Sequence, residues 1–336
     1  MRSLLRCGDV GMTADDRQMQ TATARTPGWL HAFALVLAAS TLALIFIGGL
    51  VTSTGSGLAV PDWPLSFGQF FPRMVGGVFY EHGHRMAATA VGALTVAFAI
   101  AARLVETHVI VRRLALAAIG LIVAQGLLGG LTVLFLLPPA ISSAHGCLAQ
   151  AFLCLTVALA VLTHPDWTPA IRPPADPGLA GLTLATAAVV YVQLVLGAVM
   201  RHTGAGLAIP DFPLALGRVI PPFLSPAIVI HFLHRVGALA VTTMVVWSAV
   251  RTLRTHAGDP GVVRPALAAM ALVAVQITLG ALTIWTRKAV LPTTAHVAVG
   301  AAILGTIVVW ALRARRTGPA ATGSARTLLA TGRVPA

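Results

Sequence analysis

Charge is scarce in this chain. Of its 336 residues, 10% are charged and 57% are hydrophobic, whereas a soluble domain carries about 25% charged residues. That composition excludes an ordinary soluble globular protein. Cysteine is equally sparse. Cys7 lies in a polar N-terminal segment, and Cys147 and Cys154 are seven apart on one apolar run. No pair is placed for an exported disulfide framework. Glutamate occurs only twice, as Glu81 and Glu106.

What the chain has instead is long apolar runs. Eight stretches, near 30–51, 82–104, 114–136, 141–162, 179–200, 227–250, 265–285 and 292–313, are each about 20 residues long. A helix needs about that length to cross a ~30 Å hydrocarbon core. The strands of a membrane barrel would be shorter and would alternate. The expected fold is therefore an all-α membrane protein of eight transmembrane helices.

The net charge of +13 raises the question of nucleic acid, but the basic residues are sorted by loop. With the N-terminus inside, sixteen arginines fall on the inner side, against Arg73, Arg201, Arg218, Arg287 and Lys288 in the outer loops. The positive-inside rule then places both termini in the cytoplasm and implies a lipid bilayer, not nucleic acid, as the partner. The expected location is a bacterial plasma membrane. Residues 1–28 and 314–336 read as disordered cytoplasmic tails, the first without the short apolar core of a signal peptide.

The chain repeats itself. TGSGLAVPDWPL begins at Thr54 and TGAGLAIPDFPL at Thr203, with nine of twelve positions identical. His84-Arg85 recurs as His234-Arg235, and Gln125 and His145 recur as Gln276 and His296. Two tandem four-helix bundles follow, over 29–162 and 179–313, joined by a stiff, proline-rich linker at 163–178. Both halves run the same way through the membrane, as parallel repeats do. The glycines of the repeated loop permit tight turns, and Trp63 and Phe212 suit the headgroup region. That loop reads as an interfacial cap on the bundle, or as a lid over a ligand.

Ionisable residues inside membrane helices are costly and mark function. His84, His145, His234 and His296 lie at one depth, near the starts of the second, fourth, sixth and eighth helices. Each half thus offers two histidines from parallel helices, a pattern suited to axial ligation of haem iron. Bare zinc or copper would need more ligands at that depth. Small residues beside the ligands leave room for a flat macrocycle, and Cys147 points to another helix face than His145.

The halves differ at one position. Glu81 shares a face with His84, and its counterpart is His231. A carboxylate one turn from a haem ligand could move protons, or it could pair with Arg85 or Arg73. Arg85 and Arg235 could meet haem propionates or reach the outer headgroups. His202 reads as a solvated loop residue, and His82 has no evident role. His31, His108, His164 and His256 read as surface residues, and Gln125 and Gln276 as interhelical hydrogen-bonding groups.

The eight-helix duplication resembles the haem A synthase family. So do the segments GGLVTSTGSGLAVPDWPLSFG, Glu81-x-x-His84-Arg85, SSAHG with His145, His234-Arg235, and TTAH ending at His296. The resemblance covers about 28–313. It implies oxidation of the C8 methyl group of haem O to a formyl group by two successive hydroxylations, in haem A biosynthesis for terminal oxidases. It implies that His234 and His296 ligate a resident haem b, that His84 and His145 hold the substrate haem O, and that Glu81 is catalytic. An external electron donor is implied, with haem b as the relay. Contact with a haem O synthase or with oxidase assembly, and a homo-oligomer, are further expectations. Some family members carry cysteine pairs in the outer loops after helices one and five; this chain has none there, so no thiol relay is expected. Two other readings are a diheme b-type electron-transfer cytochrome and a non-catalytic haem transporter or chaperone.

Overall fold

A computed structural model of the chain describes residues 26–165, 167, 174 and 176–316. The tails expected at 1–28 and 314–336 lie largely outside the described residues. Among those described there are eight long helices: α1 (Gly28–Ser53), α2 (Gly77–Val105), α3 (Val109–Leu134), α4 (Pro139–Leu162), α5 (Pro177–His202), α6 (Pro226–Thr255), α7 (Pro260–Trp285) and α8 (Val290–Ala314). All eight are long and apolar enough to cross a membrane.

Most helices begin earlier than the apolar runs alone suggest. Four start on proline at the first turn, where the missing N–H costs nothing. Asp176 accepts from Leu179 N at 2.9 Å and Asp259 from Gly261 N at 2.8 Å, capping α5 and α7. Helix α7 was expected from Pro265 but starts at Pro260, with Pro265 inside. Proline at 265 cannot donate to the Gly261 carbonyl, and Arg313 on α8 donates to that oxygen instead, at 3.3 Å. Helix α5 also runs past its expected end. Arg201 and His202, expected in a loop, form its last turn.

Helices α1 to α4 pack in sequence and close through an α1–α4 contact, and α5 to α8 close in the same way through α5–α8. The two rings meet where α1 touches α8, α4 touches α5 and α4 touches α8. Each ring has its own apolar core. Leu30, Leu37, Phe98, Val111, Phe152 and Leu159 are fully or almost fully buried in the first, and Leu179, Val245, Val262, Leu304, Ile307 and Trp310 in the second. These cores occupy the end of the bundle opposite the repeated loops. Toward lipid the helices present large apolar side chains, Leu116, Leu184 and Leu239 among them. Buried threonines such as Thr41, Thr95 and Thr252 turn their hydroxyls back to the carbonyl four residues earlier. Such internal satisfaction is what a hydrocarbon solvent requires.

Candidate haem site

The repeated loops fold alike. Asp62 accepts from Phe67 N at 2.7 Å and Gly68 N at 2.8 Å. Asp211 accepts from Leu216 N and Gly217 N at the same two distances. Phe67 and Leu216 sit at φ 54° and 56°, which the aspartate bonds hold in place. The amides of Gly68 and Phe67 lower the Asp62 pKa below its ordinary value, and those of Gly217 and Leu216 do so for Asp211.

Arg85 and Arg235 fasten these loops to their helices. Arg85 donates to the carbonyls of Asp62 at 2.7 Å, Leu65 at 2.8 Å and Val60 at 3.2 Å. Arg235 donates to those of Asp211 at 2.6 Å, Leu214 at 2.7 Å and Ile209 at 3.1 Å. Glu81 is 4% exposed. Its Oε1 pairs with Arg85 at 2.6 Å, and its Oε2 accepts from Val60 N at 2.8 Å. In the second half Ile209 N makes the matching approach to His231 Nδ1 at 3.3 Å. Glu81 and His231 therefore latch the same loop amide by different chemistry. His82 meets Ser66 Oγ through Nδ1 at 2.8 Å.

Each of the four histidines lies against a glycine on the preceding helix. A Cβ on Gly48 would stand 3.0 Å from His84 Cε1, and one on Gly129 would stand 3.1 Å from His145 Cε1. Gly197 and Gly280 face His234 and His296 in the same way, at 3.1 Å each. A side chain at any of these four positions would push an imidazole off its seat. Three of the glycines follow a glutamine by four residues, which places both on one helix face. Gln125 donates to the carbonyl of His145 at 3.0 Å, Gln193 to that of His234 at 2.8 Å, and Gln276 to that of His296 at 2.9 Å.

The second-half pair has the spacing of two imidazoles that share one metal ion. The rings of His234 and His296 are 6.4 Å apart between centroids, at 63°. Imidazole nitrogens bind first-row metals at roughly 2 Å, so two such bonds plus the ring radii put the centroids about 6 Å apart. His296 Nδ1 donates to the Gln276 carbonyl at 3.2 Å, leaving Nε2 with its lone pair for a metal. In the first half His84 Nδ1 is buried without a hydrogen-bond partner. No cluster of three or more histidine, cysteine, aspartate or glutamate side chains suited to a bare ion occurs among the described residues. Two histidines without further protein ligands fit a macrocycle that supplies the remaining donors.

Sequence reasoning found the four histidines, Glu81 and both arginines, and passed over the glycine seats. A signal was present: Gly48 and Gly129 recur as Gly197 and Gly280 at the repeat spacing. Gln193 was also passed over, because Leu44 stands at its counterpart and no repeat marks it. Arg201 was assigned to a loop. It reaches across to α1 and donates to Gly49 O and Ser53 Oγ, both at 2.9 Å.

Eight membrane-length helices with partly buried histidines seated in matched surroundings define a polytopic membrane protein built for haem. Residues 73–308 match the profile of the cytochrome oxidase assembly protein family. The chain is 34% identical over 265 residues to a haem A synthase of Symbiobacterium thermophilum, covering 75% of this chain and 85% of that protein. It is 32% identical over 257 residues to a haem A synthase of Halalkalibacterium halodurans, again covering 75% and 85%. A haem A synthase of Shouchella clausii is 30% identical over 267 residues, with 78% and 89% covered. The chain belongs to the cytochrome oxidase assembly protein family that includes these haem A synthases.

Proposed function

We propose that this protein is a haem A synthase of the plasma membrane, an oxidoreductase that converts the C8 methyl group of haem O to a formyl group. The observation that carries this is the set of four glycine-seated histidines in a chain of this family. Family membership favours the synthase over a diheme cytochrome that only moves electrons. When bound, haem supplies the redox-active iron for the oxidation, with electrons from an external donor.

The protein's own residues divide the work. His234 and His296, with centroids 6.4 Å apart, hold a resident haem b. His84 and His145 hold the substrate haem in the first half. Glu81 shares the ligand helix with His84, and its carboxylate is fixed at both oxygens, to Arg85 and to Val60 N. In this reading it relays protons for the substrate site, with Arg85 and Val60 N setting its orientation. Arg85 and Arg235 hold the loops over the two sites and keep water from the histidines. The halves 29–162 and 179–313 act as tandem repeats with both termini in the cytoplasm, so the two sites share one membrane depth.

Extraction of haem from the purified protein, followed by chromatography and mass analysis, tests this reading. Haem B together with haem O, haem A or a hydroxylated intermediate supports it. Haem B alone, from cells that make haem O, refutes it.

A further inference from the structure

One cation at the loop end of the bundle pairs with no carboxylate among the described residues. Arg201, in the last turn of α5, is partly buried where α1, α5 and α8 come together. Its Nη2 donates to Gly49 O and Ser53 Oγ on α1, both at 2.9 Å. Ser53 Oγ also accepts from Thr294 Oγ1 on α8, at 2.9 Å. The Nη1 and Nε donors of Arg201 have no partner among the described residues. The carboxylates at this end are engaged elsewhere: Asp62 and Asp211 with loop amides, Glu81 with Arg85 and Val60 N. Arg85 and Arg235, offered by the sequence as propionate contacts, each give their guanidinium to three loop carbonyls. A charge in this setting is costly unless it meets an opposite one, and the two neutral acceptors on α1 satisfy only Nη2.

Position says which anion fits. Arg201 lies one helical turn beyond Gly197, the seat of His234, on the same face of α5. It is also an electrostatic neighbour of His296. The second-half imidazoles therefore have this guanidinium on their loop side. In the first half Thr52 stands at the matching position, with its hydroxyl turned back to Gly48 O at 3.4 Å. Haem carries its two propionates on one edge, and a guanidinium holds carboxylates by charge-assisted hydrogen bonds. Resting on the haem b assignment of the second-half pair, we propose that Arg201 binds a propionate of that haem through its Nη1 and Nε donors. Gly49 O and Ser53 Oγ hold the guanidinium in place from the other half. The edge of the second-half haem is thereby tied to α1, the helix whose Gly48 seats His84.

The test uses the full-length protein in detergent, its haem labelled with carbon-13 at the propionate carboxyls. Redox-difference infrared spectra are read together with the midpoint potential of the bis-imidazole haem. Arg201→Met should shift the label-sensitive carboxylate bands and lower the midpoint potential, because loss of the cation favours ferric haem. Arg201→Lys, which keeps the charge, should recover most of the potential. Ser53→Ala, which loosens the guanidinium without removing it, should move the bands less and in the same direction. Label-sensitive bands unchanged in Arg201→Met would overturn the proposal. Should that variant fail to fold, bands unchanged in both Arg201→Lys and Ser53→Ala would do the same. A lowered potential with those bands unmoved would also overturn it, since a guanidinium bound to a lipid phosphate would give that result. A bis-imidazole signal that survives His234→Ala would instead overturn the haem b assignment on which the proposal rests.

Discussion

The backbone N–H of Val60 donates to Glu81 Oε2 at 2.8 Å, tying the first repeated loop to the helix that carries His84. The same carboxylate pairs with Arg85, which holds three carbonyls of that loop. The one glutamate within a membrane-spanning helix therefore fastens the first repeated loop to the helix that carries His84.

Glu81→Ala is expected to stop formation of formyl haem while the resident haem spectrum stays intact. It removes a charge-assisted bond to Arg85 and leaves the Val60 N–H without its acceptor, a loss of about 1–3 kcal/mol. Thermal unfolding in detergent measures the stability, and haem extraction the product. Normal accumulation of haem A would remove Glu81 from catalysis.

Glycine seats predict site-specific damage. Gly197→Ala places a methyl carbon 3.1 Å from His234 Cε1 and should weaken the bis-imidazole signal of resident haem. Gly48→Ala meets His84 at 3.0 Å and should leave that signal alone while lowering substrate turnover. Overpacking of this size costs about 1–3 kcal/mol. Low-temperature electron paramagnetic resonance separates the two cases, and an equal effect of both variants on one signal would refute the division of sites.

Trp63 and Gly130 should prove coupled. A Cβ on Gly130 would come within 2.6 Å of the indole, while the second half pairs the smaller Phe212 with Ala281 at the matching positions. Gly130→Ala alone should destabilise the protein, and adding Trp63→Phe should recover much of the loss. Contacting residues typically couple by about 0.5–3 kcal/mol. Additive melting shifts would contradict the packing.

Acid should loosen the loops. The Asp62 and Asp211 carboxyls are held below the ordinary value of 3.8 by backbone N–H donors. Because the folded value is the lower one, their stabilisation is complete above the ordinary value and is lost as pH falls through the lowered one. Hydrogen exchange at Phe67, Gly68, Leu216 and Gly217 should rise in that window. In Asp62→Asn the acid dependence at Phe67 and Gly68 should disappear; its persistence would place the titration elsewhere.

Much of the architecture was legible because its causes are local. Hydrocarbon obliges the backbone to satisfy itself within a helix, so an apolar run of sufficient length predicts a spanning helix, and only its ends shift with proline and caps. Pro260 and Asp259 moved one such end by five residues. The histidines were visible because the repeat displays each context twice. Arg85 and Arg235 were visible as residues but not as anchors, since loop carbonyls carry no sequence signal.

The sequence by itself determined eight membrane-length helices, a duplicated frame, a matched pair of histidines in each half and glutamate in only one half. Tertiary structure alone decided which glycine lies under which imidazole, that Arg201 reaches α1, and that Gln193 faces His234 while His84 has no such partner. The physical reason is that helix formation in lipid depends on nearest neighbours and composition. The rotation and closeness of one helix against another depend on small residues far apart in the chain, and they acquire meaning only once the helices are packed.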